Sequence, residues 1–127
     1  MRRNSRLSTL DPSEAERLGW IEQLLDDLDS CLAARQSGPL NEALLTYAVK
    51  HLLIMVGEHL DKLGAKAGKL IVEPELEQLV EQLITLRVGL IHVSWDISDP
   101  QVWDVAEQRL PYLKERMPVL RNLYQPD

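Results

Sequence analysis

The chain contains no phenylalanine, and its only aromatic residues besides histidine are three tryptophans and three tyrosines. A core of any size in these 127 residues must therefore be aliphatic, and leucine dominates the composition. Cys31 is the single cysteine, so no internal disulfide can form, which fits a reducing compartment. No helix start, cation or histidine lies near Cys31 in sequence to activate it, and it reads as a small core residue. There is no glycine-rich phosphate loop, no cysteine pair for zinc and no serine-hydrolase elbow. No run of about 18 uncharged apolar residues occurs, so a membrane span is not expected. Residues 1–10 carry three arginines without the apolar stretch of a secretory signal, and read as a flexible basic tail before a domain at 11–124. The expected location is cytoplasmic.

Basic residues are also scarce. Fourteen Lys and Arg face twenty Asp and Glu, a formal charge of −6, which argues against a broad nucleic-acid-binding surface. The acidity is local, however. Residues 11–29 hold seven acids against Arg17 alone, and residues 1–6 hold three arginines. A small cleft can still be positive.

What is present is helical periodicity. Asp11, Pro12 and Glu14 suggest a cap, a first helical position and a capping box. Leu18, Ile21, Leu25, Leu28 and Leu32 then recur at three- and four-residue steps on one stripe. Gln36-Ser37-Gly38-Pro39 breaks the chain. A second helix is expected from about Leu40 to Leu63, stopped by Gly64, with a loop over 64–73. Leu44, Leu45, Tyr47, Leu52, Leu53, Ile54, Met55, Val56 and Leu60 are too many for one stripe. A helix apolar on most sides is buried on most sides, and a second subunit is the natural cover. A third helix begins near Pro74, and Ser98-Asp99-Pro100 opens a fourth that Pro111 and Pro118 should bend or restart. The expected fold is all-α, an up-and-down bundle of four main helices with a bent or split C-terminal helix.

Arg87 does not fit a pure core. It lies three or four residues from Leu83, Ile84, Leu90 and Ile91, where a permanent charge is costly unless paired or facing a cleft. His92 follows five residues later, about 140° away on an unbroken helix. The two converge only if the helix ends or bends near Ile91, or if a symmetry mate brings its own pair alongside. Arg and His at one cleft suit phosphate chemistry: Arg neutralises phosphoryl oxygens and His moves protons near neutral pH. On spacing alone, a structural Arg and a satisfied His stand beside that reading. His51 and Glu58 share a face of the second helix, as cleft-lining groups or as satisfied interface polars. No paired Glu-x-x-His pattern accompanies them, so a metal site is not expected. Gly57 inside that helix costs about 1 kcal/mol relative to Ala, and its use is close helix approach.

The stretch Leu86-Arg87-Val88-Gly89-Leu90-Ile91-His92, with Asp96-Ile97 and Val102-Trp103 after it, resembles the HepT-like branch of the HEPN superfamily. Val102-Trp103 and Leu110-Pro111-Tyr112-Leu113 are similar to the family's "vW…LP.L" segment, and Val56-Gly57-Glu58 to its "IGEA"-like element. The resemblance spans roughly residues 15–120. It implies an all-helical homodimer whose Arg…His motifs meet in an interface cleft. It further implies a ribonuclease toxin restrained by a minimal nucleotidyltransferase antitoxin, in some systems by adenylylation of a Tyr two residues after the motif His. Carried over, His92 is the general acid or base for attack by the RNA 2′-hydroxyl, and Arg87 holds the scissile phosphate. No metal or cofactor is required. Val88 stands where the family usually has Asn, and Ser94 where it has the modifiable Tyr. Ser94 and Trp95 are further candidates for substrate contact, Trp95 as a base-stacking surface or as a packed aromatic. The alternative reading from Val88 and Ser94 is a catalytically degenerate dimer, an accessory subunit that binds a nucleotide or a nucleotidyltransferase.

Overall fold

A computed structural model describes residues 13–38, 41–70 (backbone alone from 64), 73–92 and 97–124. The basic tail, Asp11, Pro12, Ser94 and Trp95 lie outside the described residues. Five α-helices and one π turn make up the described chain: α1 (Glu14–Gln36), α2 (Glu42–Leu70), α3 (Pro74–Ile91), α4 (Asp99–Asp104), the π turn (Val105–Arg109) and α5 (Leu110–Tyr124). No strand occurs among the described residues, so the all-helical expectation holds.

The helix starts follow local chemistry, with one shift from expectation. The cap of α1 is Ser13, not Asp11. Its Oγ accepts the Glu16 amide at 3.1 Å, and Glu16 Oε1 accepts the Ser13 amide at 2.9 Å. This reciprocal box satisfies two amides that the first turn leaves without carbonyl partners. Asn41 Oδ1 accepts the Leu44 amide at the start of α2. Pro74 occupies the first turn of α3, where its missing N–H costs nothing. Ser98 caps α4 in a second reciprocal box with Gln101.

Gly64 does not stop α2, which runs on to Leu70. A glycine within a helix costs only about 1 kcal/mol, and Ala65, Lys66, Ala67 and Lys69 around it favour helix. Nor is the C-terminal helix cut into pieces. Residues 99–124 are continuously helical, and the change is one of register. The Leu110 amide reaches back five residues to the Val105 carbonyl, one residue before Pro111, which has no N–H to offer. A π turn at this point lets the chain accept a proline without unwinding. Pro118 lies inside α5 without ending it.

Polar contacts at opposite ends of the helices give their directions. Arg17 meets His59 and Arg35 meets Glu42, so α1 and α2 are antiparallel. Glu22 meets Arg121, and Asp26 and Asp29 both meet Lys114, so α1 and α5 are antiparallel. The core between them is aliphatic: Leu18, Ile21, Leu25 and Leu28 of α1 meet Val49, Leu53, Val56 and Leu60 of α2, Leu76, Leu79 and Leu83 of α3, and Leu113 and Leu120 of α5. Of the predicted α1 stripe, Leu32 alone is only half-buried. Trp103 is the buried exception to the aliphatic rule. Its Nε1 donates to Thr46 Oγ1 at 3.0 Å, and the Arg35 guanidinium lies 4.1 Å over its ring. Arg35 also pairs with Glu42 and Glu107. One tryptophan and one arginine thus pin α4 and the π turn onto α1 and α2.

A single chain leaves part of α2 uncovered. Leu44 is 61% exposed and Tyr47 68%, and at the end of α3 Ile91 is 49% exposed. Leu45, Leu52, Ile54 and Met55 are half-buried.

Candidate functional site

The site grows from the crossing of α2 and α3 near the end of α3. Gly57 faces α3 at this crossing. A Cβ placed on it would lie 2.7 Å from the Leu83 carbonyl oxygen and 2.8 Å from Arg87 Cβ. Only a glycine lets the two backbones come this close, and the close approach expected of Gly57 is what the helices show. The Arg87 stem passes over that gap, which is how a charged residue sits on an apolar stripe without burying its charge. Its side chain is 23% exposed. Nη2 donates to Asp61 Oδ2 at 3.4 Å, and Nε is buried with no partner among the described residues. Asp61 lies one turn beyond Gly57 on α2. The sequence reading passed it over; the i, i+4 relation to Gly57 was the available signal.

Helix α3 ends at Ile91, one of the arrangements that could bring Arg87 and His92 together. His92 occupies the C-cap with φ −89° and ψ 109°, and its amide donates to the Val88 carbonyl at 3.1 Å. The backbone leaves the helix at this residue, but among the described residues no hydrogen bond joins the His92 and Arg87 side chains within one chain. His92 is exposed, about 7.5 Å along the helix axis from Arg87. Val88, between them, is half-buried. Its carbonyl accepts the His92 amide.

The other candidates are more scattered. His51 is exposed on α2 and Glu58 is half-buried two turns further on. The carboxylate that reaches Arg87 is Asp61, not Glu58. Lys50 pairs with Asp99 at 2.9 Å, which ties the start of α4 to α2. Among the described residues, no three His, Cys, Asp or Glu side chains are grouped as metal ligands, and no helix is long and apolar enough to cross a membrane. Cys31 is half-buried against the core, and burial raises its thiol pKa, which keeps it unreactive.

A second polar cluster was not read from sequence. His59 is buried between α1 and α2, with its ring 5.3 Å from that of Trp20. Arg17 Nη1 approaches His59 Nδ1 at 3.1 Å. A guanidinium has only donors, so Nδ1 accepts and the ring is the neutral Nε2–H tautomer. Burial lowers the His59 pKa from its ordinary 6.5, and the Arg17 charge lowers it further, against a smaller opposite effect of Glu58. The unfolded chain therefore binds the proton more readily. The His59 contribution to stability is complete above about pH 6.5 and is lost as pH falls below that through the folded value. Denaturation midpoints of the wild type and His59→Gln across this range are expected to differ in slope, the wild type losing more stability on acidification. Parallel curves would show that His59 is not the group responsible.

Against known proteins, a sequence model of the HepT-like ribonucleases matches residues 21–120, from the middle of α1 to near the end of α5. No curated protein and no solved structure matches the chain.

Proposed function

Because the chain belongs to the HepT-like ribonuclease family, we propose that it is a metal-independent endoribonuclease of the HEPN type, the toxin of a pair whose antitoxin is a minimal nucleotidyltransferase. The observation that carries this reading is the placement of Arg87 and His92 around the end of α3. Arg87 is held at a helix crossing with its side chain partly reached by solvent, and His92 sits just past the helix end, exposed. In this scheme the RNA 2′-oxygen attacks the neighbouring phosphorus while its proton passes to an imidazole. The bond to the 5′-oxygen breaks, and that oxygen takes a proton as it leaves. His92 carries the proton transfers. Arg87 binds the phosphoryl oxygens and stabilises the charge that grows on them.

A homodimer supports the same chemistry. The uncovered Leu44 and Tyr47 on α2 and Ile91 beside His92 offer apolar surface for a second copy, which would bring a second Arg87 and His92 into one cleft. One imidazole could then accept the 2′-proton while the other donates to the leaving oxygen. With Ser94 in the position of the modifiable Tyr, restraint by the antitoxin is proposed to rest on binding and not on transfer to a phenol. A cytoplasmic location accords with an RNA target.

Val88 favours a second reading, a dimer that binds a nucleotide or the nucleotidyltransferase without cleaving. The two readings separate in one experiment. Purified wild-type protein, incubated with RNA and excess chelator, is expected to cleave it. The accessory reading requires no cleavage by the wild type, whether or not Val88→Asn restores it.

A further inference from the structure

The free edges of the Arg87 guanidinium are unequal. A planar two-point acceptor such as a phosphodiester can use the edge that includes Nε or the edge formed by Nη1 and Nη2. Burial of Nε against the α2–α3 crossing closes the first edge. Asp61 Oδ2, at 3.4 Å from Nη2, holds one end of the second. Asp61 itself is about half exposed and sits on α2 one turn from Gly57, the residue that seats Arg87.

We propose that Asp61 is an internal counter-ion of Arg87 that a phosphodiester displaces, and so the residue that sets the anion affinity of this site. The inference rests on the reading of Arg87 as the phosphate-holding group. A carboxylate at the long end of hydrogen-bond distance, with both partners reached by solvent, is a weak partner and cheap to displace. Without RNA it offsets the guanidinium charge at Nη2. When RNA binds, the phosphate oxygens replace it. Asp61 touches no reacting atom and acts through Arg87, which makes it a positioning residue.

The test uses a fluorescent, uncleavable 2′-O-methyl RNA oligonucleotide and fluorescence anisotropy at fixed salt. Asp61→Asn is expected to bind it about 2- to 5-fold tighter than the wild type, the range for release of an exposed ion pair. With cleavable RNA, KM is expected to fall by the same factor with kcat unchanged, because the competition is removed from ground and transition states alike. Asp104→Asn, on an exposed position of α4, controls for net charge and is expected to change binding little. In an Arg87→Ala background the gain from Asp61→Asn should disappear. If Asp61→Asn fails to tighten binding, or tightens it equally without Arg87, the counter-ion role is wrong while the site reading stands. If Arg87→Ala itself binds the oligonucleotide as well as the wild type does, the phosphate-holding reading falls and this proposal with it.

Discussion

Changing His92 to alanine is expected to lower the rate of RNA cleavage by about 10²- to 10⁴-fold, the usual contribution of a positioned acid–base group, and to leave the helical circular-dichroism spectrum intact. The separation of the two effects is expected from the structure. His92 is exposed, and its backbone amide donates to the Val88 carbonyl at the end of α3. Alanine keeps that bond. A loss of cleavage then reports the imidazole and not the fold. A His92→Ala variant that cleaves RNA as fast as the wild type would end the assignment of His92 as the proton carrier.

Gly57→Ala is expected to destabilise the protein by about 1–3 kcal/mol, the cost of forcing atoms into a packed contact. The sign makes this prediction sharp. At an unobstructed helix position the same change stabilises by about 0.5–1 kcal/mol, since glycine loses more backbone freedom on folding than alanine. Here the new Cβ would stand 2.7 Å from a backbone oxygen of α3, which cannot swing aside as a side-chain tip can. It would also meet Arg87 Cβ at 2.8 Å, so the helices must part exactly where the guanidinium is seated. Chemical denaturation measures the loss, and cleavage is expected to fall with it, through KM, as Arg87 moves. A stabilised Gly57→Ala would mean that α2 and α3 can separate without cost, and that Gly57 does not seat Arg87.

Much of the fold was legible before any coordinates. The stripe on α1 is buried from Leu18 to Leu28, the breaks fall near Gly38, Pro74 and Ser98, and the core is built without phenylalanine. These are local signals: period, caps and breakers act within a few residues of where they stand. The errors were local signals overruled by their surroundings. Gly64 reads as a stop, but helix formers on both sides carry α2 through it. Asp11 and Ser13 are both capping residues, and the helix uses the one whose box partner is Glu16. Pro111 reads as a break, and a π turn absorbs it.

The site divides along the same line. Arg87 and His92 stood out from sequence alone, because a charge on an apolar stripe and a histidine just past it are anomalies of pattern. The sequence by itself determined an all-helical chain with an aliphatic core and membership in the HepT-like ribonuclease family. Only the tertiary structure decided which side chains surround Arg87. Gly57 and Asp61 are 30 and 26 residues away from it in sequence, and nothing in local periodicity joins them to it. The same holds for His59, neutral beside Arg17 across 42 residues. A helix pattern says which face turns inward. The partner that face finds, and so the charge, pKa and reach of each polar group on it, depends on how two helices cross, and that crossing is set by contacts between distant parts of the chain.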